Sequence, residues 1–203
     1  MTMKLAFSPT SPYVRKVLVC AHELGLIDQI ENEAVTVLPT LKNDEYATQN
    51  PLGKVPALTL NSGEVIYDSG VICEYLDSLS ESVSLIPQDQ SRWAVLTQHQ
   101  LASGIKDALV LMRYETVLRP ENCRWDEWLE GQKRKAYNAI RWFEQNPDSL
   151  AAPLNFAQIG LACALSYWNF RFAELPWQDD HPKLQAWHSH FRQRASMLAT
   201  AHD

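Results

Sequence analysis

The chain has 203 residues, of which 46% are hydrophobic and 21% charged, and its formal net charge is −6. This length and composition suit a soluble globular protein with a sizeable core, built as one large domain or two small ones. The negative charge disfavours a nucleic acid as partner, and no apolar run reaches the roughly 18 residues that span a bilayer. The N-terminal residues also lack the apolar segment of a secretory signal, so we expect a cytoplasmic protein without membrane attachment.

The N-terminal part of the chain predicts secondary structure in the order β-α-β-α-β-β-α. An apolar run at 4–7 predicts the first strand, and apolar residues at helical spacing begin after Pro12, with Ser11 as the expected N-cap. Gly25 is expected to end this first helix. The β-branched residues at 33–37 predict a second strand, which a right-handed crossover would place parallel to the first.

Four further elements complete the N-terminal part. A short helix is expected at 44–48, ahead of a β-hairpin whose strands are 57–60 and 64–67. The hairpin prediction rests on the turn sequence NSG at 61–63, which separates two apolar runs. Ser69 is then positioned to cap a last helix.

The second part of the chain is entirely helical by the same criteria. Residues 80–91 are polar and contain one proline, which predicts a linker. Beyond it, the apolar spacing predicts helices at 91–117, 125–145, 156–173 and 182–199. The sequence therefore predicts an α/β domain at 1–79 and an all-helical domain at 92–203.

Three hydroxyl side chains, those of Ser8, Thr10 and Ser11, lie at the start of the first predicted helix. The N-terminus of a helix has free N–H groups and about half a positive charge, so it stabilises an anion placed there. A free thiol titrates near pH ~8.5, and such a position with a donating hydroxyl lowers its pKa. The helix start therefore predicts a site for a thiolate or another anion.

Three stretches of the N-terminal part resemble the signature motifs of the soluble glutathione S-transferases. They are the turn SPYVRK at 11–16, the stretch NPLGKVPAL at 50–58 and the acid–serine pair at 68–69. The resemblance covers essentially the whole chain, and among the subfamilies it is greatest for the bacterial serine-type enzymes. It implies a thioredoxin-like N-terminal domain that binds glutathione as co-substrate, followed by an all-α domain.

The resemblance implies that a hydroxyl activates the thiol of glutathione. Ser11 directly precedes Pro12, where omega-type members carry cysteine, and Thr10 occupies the position of the delta-type serine. Ser8 corresponds to the cysteine of beta-type members. Ser11 is the first candidate for the catalytic hydroxyl and Thr10 the second, whereas Ser8 would contribute to glutathione binding. Ser11 would also serve as a simple N-cap, so its structural role remains an alternative.

The other two motifs supply the remaining contacts that the family makes with glutathione. Val55 precedes Pro56, which is cis in the family, and its backbone N–H and C=O would bind the cysteinyl part. A trans proline at the start of a strand is the structural alternative. Asp68 would pair with the γ-glutamyl ammonium, and Ser69 with the following N–H groups would bind the carboxylate.

The glycyl end of glutathione and the second substrate have less specific candidates. Lys42 and Lys54 could each reach the glycyl carboxylate, or could equally be solvated surface lysines. In the helical domain, Met112, Arg113 and Tyr114 are candidates to line the second-substrate pocket. Methionine and aromatic residues on a helix are also common core residues, so that alternative stays open.

Two residues at the start of the third helix of the second part resemble the family's capping box. The usual pattern is Ser/Thr-x-x-Asp, and this chain has Asn155 and Gln158 instead. Asparagine is a good N-cap and glutamine can bond back to it, so we expect a structural cap here.

Cysteine and histidine positions predict neither a redox dithiol nor a metal site. The four cysteines are widely spaced and form no CxxC pair. His188 and His190 lie two residues apart on a predicted helix, so they point to different faces.

The family resemblance predicts a homodimeric transferase that acts in detoxification by joining glutathione to a small electrophile. A glutathione-dependent isomerase or dehalogenase is a related possibility. A non-catalytic, glutathione-binding or regulatory protein is an alternative from a different class, because a fold does not guarantee chemistry. Disulfide reduction of the omega or beta kind would need cysteine at Ser8 or Ser11.

Overall fold

In a computed structural model, which describes residues 2–151 and 153–201, the chain forms two compact units. Residues 1, 152, 202 and 203, which the predicted domains include, lie outside this description. The second unit is Gln88–Ala195, and the first contains the described residues before it and those from Ser196 onward. The first unit combines a sheet with helices, whereas all regular elements described in the second are helices. The predicted division into an α/β part and an all-α part is confirmed.

A four-stranded mixed sheet forms the centre of the first unit. Its strands are β1 (Met3–Phe7), β2 (Ile30–Ala34), β3 (Leu58–Thr59) and β4 (Val65–Ile66). They lie in the order β2-β1-β3-β4, with β1 parallel to β2 and the other two pairs antiparallel. A helix crosses over between β1 and β2, and a hairpin follows. This is the thioredoxin-like arrangement that the sequence predicts.

The first helix, α1 (Pro12–Glu23), begins and ends where the sequence predicts. Its N-cap is Ser11, whose Oγ accepts a hydrogen bond from the Val14 N–H at 3.3 Å. The helix ends before Gly25, whose φ of 70° is a conformation that glycine adopts without a Cβ clash. Ser11 is therefore held at the start of a regular, well-terminated helix.

Two shorter helices follow, α2 (Asp44–Ala47) and α3 (Ser69–Leu79). α2 lies where it was predicted. The N-cap of α3 is Asp68 rather than Ser69, and the Asp68 carboxylate accepts a hydrogen bond from the Gly70 N–H at 2.8 Å. The prediction that Ser69 caps α3 is therefore wrong by one residue, because Asp68 offers a good acceptor first and Ser69 already has helical backbone.

The second strand lies three residues before its predicted position. β2 spans Ile30–Ala34, whereas the β-branched residues favoured 33–37. As an edge strand with one neighbour, β2 tolerates exposed polar side chains and so gives a weak apolar signal. Val35 and Val37 instead pack against a small buried cluster beyond the end of the strand.

The described α-helices of the second unit number five: α4 (Arg92–Val117), α5 (Asp126–Gln145), α6 (Asp148–Ala151), α7 (Phe156–Arg171) and α8 (Pro182–Phe191). α4, α5 and α7 match the first three predicted helices to within two residues at each end. α6 was not predicted, because four residues are too few to show a helical period. None of the helices within the described ranges is long and apolar enough to cross a membrane.

The chain beyond residue 79 continues in the first unit, although the sequence predicts a linker at 80–91. Leu85 and Ile86 are buried, at 2% and 1% exposure. The carboxylate of Asp77 accepts a hydrogen bond from the Leu85 N–H, which fastens this segment to α3. Buried apolar residues within a polar stretch therefore place the boundary later than composition alone indicates.

The end of the chain returns to the first unit, although the sequence assigns it to the helical domain. The last predicted helix is divided, and its final part is a separate helix, α9 (Ala195–Ala199). Arg15 of α1 donates a hydrogen bond to the Met197 C=O at 3.1 Å, and the Ser196 Oγ donates to the Glu23 carboxylate. These bonds to α1 join residues more than 170 positions apart, so helical periodicity cannot anticipate them.

The start of α7 is capped by Asn155, as predicted. The Asn155 Oδ1 accepts hydrogen bonds from the N–H groups of Ala157 and Gln158, at 3.0 and 3.2 Å. The Gln158 amide donates to the Leu150 C=O at 3.3 Å and so connects α7 with α6. Because α7 is buried over most of its length, the cap satisfies N–H groups that water cannot reach.

Replacing Asn155 with alanine is expected to lower the free energy of unfolding by about 1–2 kcal/mol, because two buried N–H groups lose their acceptor. Asn155→Ser keeps an N-cap acceptor and is expected to lose less than half as much. Denaturant unfolding followed by circular dichroism measures both variants. Equal stability of the alanine and serine variants would argue against the capping role.

Glu115 connects the end of α4 with the start of α5. Its Oε1 accepts a hydrogen bond from the Trp125 N–H at 2.9 Å, and its Oε2 accepts one from the Arg119 Nε at 2.7 Å. The pKa of the Glu115 carboxyl lies below its usual range, and the hydrogen bond from the Trp125 N–H is the largest cause. Arg119 lowers the pKa further, whereas burial of the carboxyl acts in the opposite direction. The ionised carboxylate is therefore the form that holds these helix ends together.

Glu115→Gln is expected to lower the Tm at neutral pH and to lower it by a smaller amount in acid. The folded state has the lower pKa, so the carboxylate's contribution is present above the unfolded pKa of about 4.3 and is lost as the pH falls through the folded value. Thermal unfolding of both proteins between neutral pH and about pH 3 measures the difference. A Tm difference that stays constant over this range would contradict the role of the charge.

Candidate functional site

The sheet topology brings three loops to one end of the first unit. The turn at 8–11 follows β1, the Val55-Pro56 pair lies shortly before β3, and the Asp68-Ser69 pair follows β4. In the sheet order, β1, β3 and β4 are consecutive neighbours. The three stretches that resemble family motifs are therefore grouped by the fold.

The strand registers establish which ends lie together. Leu5 of β1 is opposite Leu58 of β3 in an antiparallel pair, so the carboxyl end of β1 lies beside the amino end of β3. Leu58 is in turn opposite Ile66 of β4, so the carboxyl end of β4 lies at the same edge. Neighbouring strands are about 4.8 Å apart, which separates the loops after β1 and β4 by roughly 10 Å. An extended tripeptide has about this length.

The turn before α1 presents a hydroxyl at the positive end of the helix. The Ser11 N–H donates to the Ser8 C=O at 3.1 Å, which closes the turn. The Ser11 Oγ accepts from the Val14 N–H, and a hydroxyl that accepts one hydrogen bond keeps its own proton for donation. Ser8 and Ser11 are half-buried and Thr10 is exposed. Of the three hydroxyls, that of Ser11 is oriented by a bond to the helix.

The Val55–Pro56 peptide bond is cis, as the family resemblance predicts. The Lys54 C=O just before it accepts hydrogen bonds from the Tyr46 hydroxyl and from the Asn50 Nδ2, both at 2.7 Å. Within the described part of the chain, the backbone N–H and C=O of Val55 have no hydrogen-bond partner. They remain available for strand-like pairing with a peptide.

Tyr46 and Asn50 hold the segment before Val55 in place, and the sequence did not identify either as a site residue. They are buried, at 4% and 1% exposure. Burial raises the pKa of Tyr46, so its hydroxyl stays protonated and donates at neutral pH. Asn50 opens the NPLGKVPAL stretch, which could have signalled its role. Tyr46 lies in α2, outside that stretch, and carries no comparable sequence signal.

The start of α3 presents an acid and a hydroxyl. Asp68 is exposed, and its carboxylate can therefore meet a ligand ammonium while it caps the helix through Gly70. Ser69 is 4% exposed and is the first residue of α3, where N–H groups are oriented for an anion. The peptide bond between Tyr67 and Asp68 is also cis. An amino acid's ammonium and carboxylate would both find complementary groups here.

The structure shows fewer contacts that would support the remaining predicted site residues. Lys42 forms an exposed ion pair with Asp44 at 2.8 Å, with the Lys42 side chain 83% exposed, and Lys54 is also exposed. In the second unit, Met112 is 2% exposed and belongs to the apolar core, which is the alternative the sequence left open. Arg113 and Tyr114 are half-buried.

Among residues 2–151 and 153–201, no group of three or more histidine, cysteine, aspartate or glutamate side chains is arranged to hold a metal ion. The side chains of Cys20, Cys73 and Cys163 are buried, and that of Cys123 is exposed.

The structure has a thioredoxin-like unit, with three motif-bearing loops at one end of its sheet, and a helical unit. This is the architecture that the family resemblance predicts. The family model of the glutathione S-transferase N-terminal domain matches residues 10–79, and that of the C-terminal domain matches residues 126–190. The chain belongs to the glutathione S-transferase family.

Relatives and solved structures agree with this assignment. The chain is 34% identical over 187 residues to the uncharacterized GST-like protein YibF of Escherichia coli K12, covering 90% of each chain. It is also similar to a glutathione transferase family member from Pseudomonas fluorescens Pf-5 with bound glutathione. That structure has 44% identity, a TM-score of 0.97 and full coverage of both chains. A structure of the Pf-5 family member with S-(propanoic acid)-glutathione has 43% identity and a TM-score of 0.92, again over both full chains.

Proposed function

We propose that this protein is a glutathione transferase that ionises the thiol of glutathione and directs the thiolate at a small electrophile. In the reaction, the sulfur forms a bond to an electrophilic carbon, and the leaving group departs with the electron pair of the bond that breaks. The observation that carries the proposal is the grouping of the loops after β1, before β3 and after β4 at one sheet edge.

Each part of glutathione has a proposed partner at this edge. Ser11 donates its hydroxyl proton to the thiolate, whose charge the start of α1 also stabilises. Val55 pairs through its backbone with the cysteinyl residue, next to Pro56. Asp68 binds the γ-glutamyl ammonium and Ser69 the γ-glutamyl carboxylate.

The other candidate residues also have proposed roles. Thr10 is the second candidate for thiol activation, and Ser8 supports binding beside the turn. Lys42 or Lys54 neutralises the glycyl carboxylate. The helical part, predicted at 92–203, supplies the contacts to the electrophile.

The ligands of the relative support conjugation as the reaction type. The Pf-5 family member binds glutathione in one structure and S-(propanoic acid)-glutathione in another. The second ligand is glutathione whose sulfur carries a substituent, as the product of a conjugation does. We propose that the present chain likewise accommodates both glutathione and its S-substituted form.

Binding to immobilised glutathione and turnover of 1-chloro-2,4-dinitrobenzene test this function together. We expect retention on the resin, elution by free glutathione and formation of the conjugate at a rate above that of the uncatalysed reaction. The proposal fails if the folded protein neither binds the resin nor accelerates conjugation. Product analysis separates conjugation from an isomerase or dehalogenase reaction, because those regenerate glutathione.

A non-catalytic glutathione-binding protein is the second candidate, and the N-cap bond of Ser11 is the observation that favours it. Retention on the resin without turnover of a panel of electrophiles would support this candidate.

We further propose that the protein is a cytoplasmic homodimer that acts in detoxification. Sedimentation velocity measures its oligomeric state.

A further inference from the structure

The peptide unit between Lys54 and Val55 is held by two buried side chains of the first unit. The Tyr46 hydroxyl and the Asn50 Nδ2 both donate hydrogen bonds to the Lys54 C=O, each at 2.7 Å. Both distances lie within the range of well-formed hydrogen bonds. Because the donors come from two different side chains, the carbonyl oxygen is held from two positions.

The carbonyl that these donors hold belongs to the same peptide unit as the Val55 N–H. The Lys54–Val55 peptide bond is trans, and a trans peptide is planar, with its C=O and N–H pointing in opposite directions. Fixing the Lys54 oxygen therefore also fixes the direction of the Val55 N–H. Within the described ranges that N–H has no hydrogen-bond partner, so it can donate to a ligand.

The same two hydrogen bonds make the Val55 N–H a stronger donor. A carbonyl that accepts hydrogen bonds polarises its own amide, and such linked bonds strengthen one another by about 10–30% per bond. Burial raises the pKa of Tyr46, so its hydroxyl keeps its proton and remains a donor at neutral pH. The direction and the strength of one backbone donor therefore depend on side chains behind it.

Both donor side chains are themselves fixed by local contacts. The Asn50 Oδ1 accepts a hydrogen bond from the Leu52 N–H at 3.1 Å, so the amide group cannot turn over without losing both of its bonds. The Tyr46 N–H donates to the Asn43 Oδ1 at 3.0 Å, which secures it in the first turn of α2. Its side chain belongs to a buried cluster that includes Ala57.

We propose that Tyr46 and Asn50 are positioning residues for glutathione, which aim and strengthen the Val55 N–H toward the cysteinyl carbonyl of the tripeptide. This inference rests on the proposed function, because the contact between Val55 and glutathione is part of that proposal. Both side chains act through the Lys54–Val55 peptide unit and take no part in ionising the thiol.

Tyr46→Phe removes one hydroxyl and keeps the ring that packs in the core. It is expected to raise the KM for glutathione about threefold to tenfold, the effect of one hydrogen bond, while kcat at saturating glutathione changes less than twofold. Tyr137→Phe is the matched control, because it removes a hydroxyl that donates to the Pro176 C=O in the second unit. A KM in Tyr46→Phe that equals that of the control would overturn the inference.

Asn50→Ala is expected to have a larger effect on the KM for glutathione, of tenfold or more. The Lys54 C=O loses a donor and the Leu52 N–H loses an acceptor, so the loop is less well held and the protein less stable. Tyr46→Phe keeps the Asn50 donor and decides the inference if Asn50→Ala does not fold. A folded Asn50→Ala with the wild-type KM would contradict the role of Asn50.

Two thiols that differ only in the cysteinyl carboxamide separate positioning from a general loss of structure. γ-Glutamylcysteine amide keeps the carbonyl that would accept from the Val55 N–H, and γ-glutamylcysteamine lacks it. Titrations followed by NMR of the ¹⁵N-labelled protein measure both affinities without turnover. We expect the wild type to bind the amide more tightly, and Tyr46→Phe to reduce that preference by about threefold to tenfold. An unchanged preference in Tyr46→Phe would refute the inference.

Titration with glutathione itself separates this inference from the proposed function. If the wild type binds glutathione more tightly than Tyr46→Phe but turns over no electrophile, the positioning role stands and the transferase function fails. If conjugation occurs and the two proteins bind glutathione equally, the positioning role fails alone. If the wild type does not bind glutathione, both fail.

Discussion

Ser11→Ala is expected to reduce kcat/KM for 1-chloro-2,4-dinitrobenzene by about 10²- to 10³-fold, the usual effect of removing one donor that stabilises a reacting anion. The Ser11 Oγ accepts a hydrogen bond from the Val14 N–H, so the hydroxyl keeps its own proton for donation to the sulfur. Without it, the thiolate retains only the field of α1. The pKa of bound glutathione should rise, and each unit of that rise corresponds to about 1.36 kcal/mol.

Ultraviolet absorbance of the thiolate, measured against pH in the enzyme–glutathione complex, gives this pKa directly. Ser11→Thr keeps both the hydroxyl and the capping oxygen, and is expected to retain most of the activity. Thr10→Ala and Ser8→Ala are the matched single-hydroxyl controls from the same turn, and we expect each to lose less than tenfold. Large losses in Thr10→Ala together with small ones in Ser11→Ala would transfer the role to Thr10.

Asp68→Asn is expected to raise the KM for glutathione by about tenfold to a hundredfold while the fold remains stable. An ion pair with the γ-glutamyl ammonium is a charge-assisted contact, and its loss falls in this range. Asparagine is as good an N-cap as aspartate, so the bond to the Gly70 N–H can persist. The substitution therefore removes the ligand contact and leaves the helix cap in place.

Asp68→Ala removes both contacts and provides the comparison. Its KM should rise as much as that of the asparagine variant, and in addition it should lose about 1 kcal/mol of stability. Steady-state kinetics at varied glutathione and denaturant unfolding separate the two effects. If Asp68→Asn binds glutathione as tightly as the wild type, the carboxylate serves only as a cap.

Much of the first unit could be predicted because its signals are local. The cap at Ser11 and the stop at Gly25 depend on residues within a few positions of each other, and both lie as expected. The hairpin and α2 are likewise encoded by short stretches. The edge strand β2 was predicted three residues too late because one neighbour and an exposed face impose little apolar pattern.

The candidate site residues likewise differ in whether the local sequence signals them. The candidates at 11, 55, 56, 68 and 69 carry motif signals, so the sequence alone suffices to propose them. Tyr46 acts through a hydrogen bond to a backbone carbonyl eight positions away, at Lys54, and any residue type can supply that carbonyl.

The sequence by itself therefore determined the order of elements, the family motifs and the chemical types at the helix starts, because neighbours along the chain encode them. Tertiary structure alone decided that the loops after β1, before β3 and after β4 share one sheet edge, since strand pairing joins distant segments. It also decided that α9 attaches to Arg15 of α1. Such contacts depend on which surfaces pack together, and no local pattern specifies that.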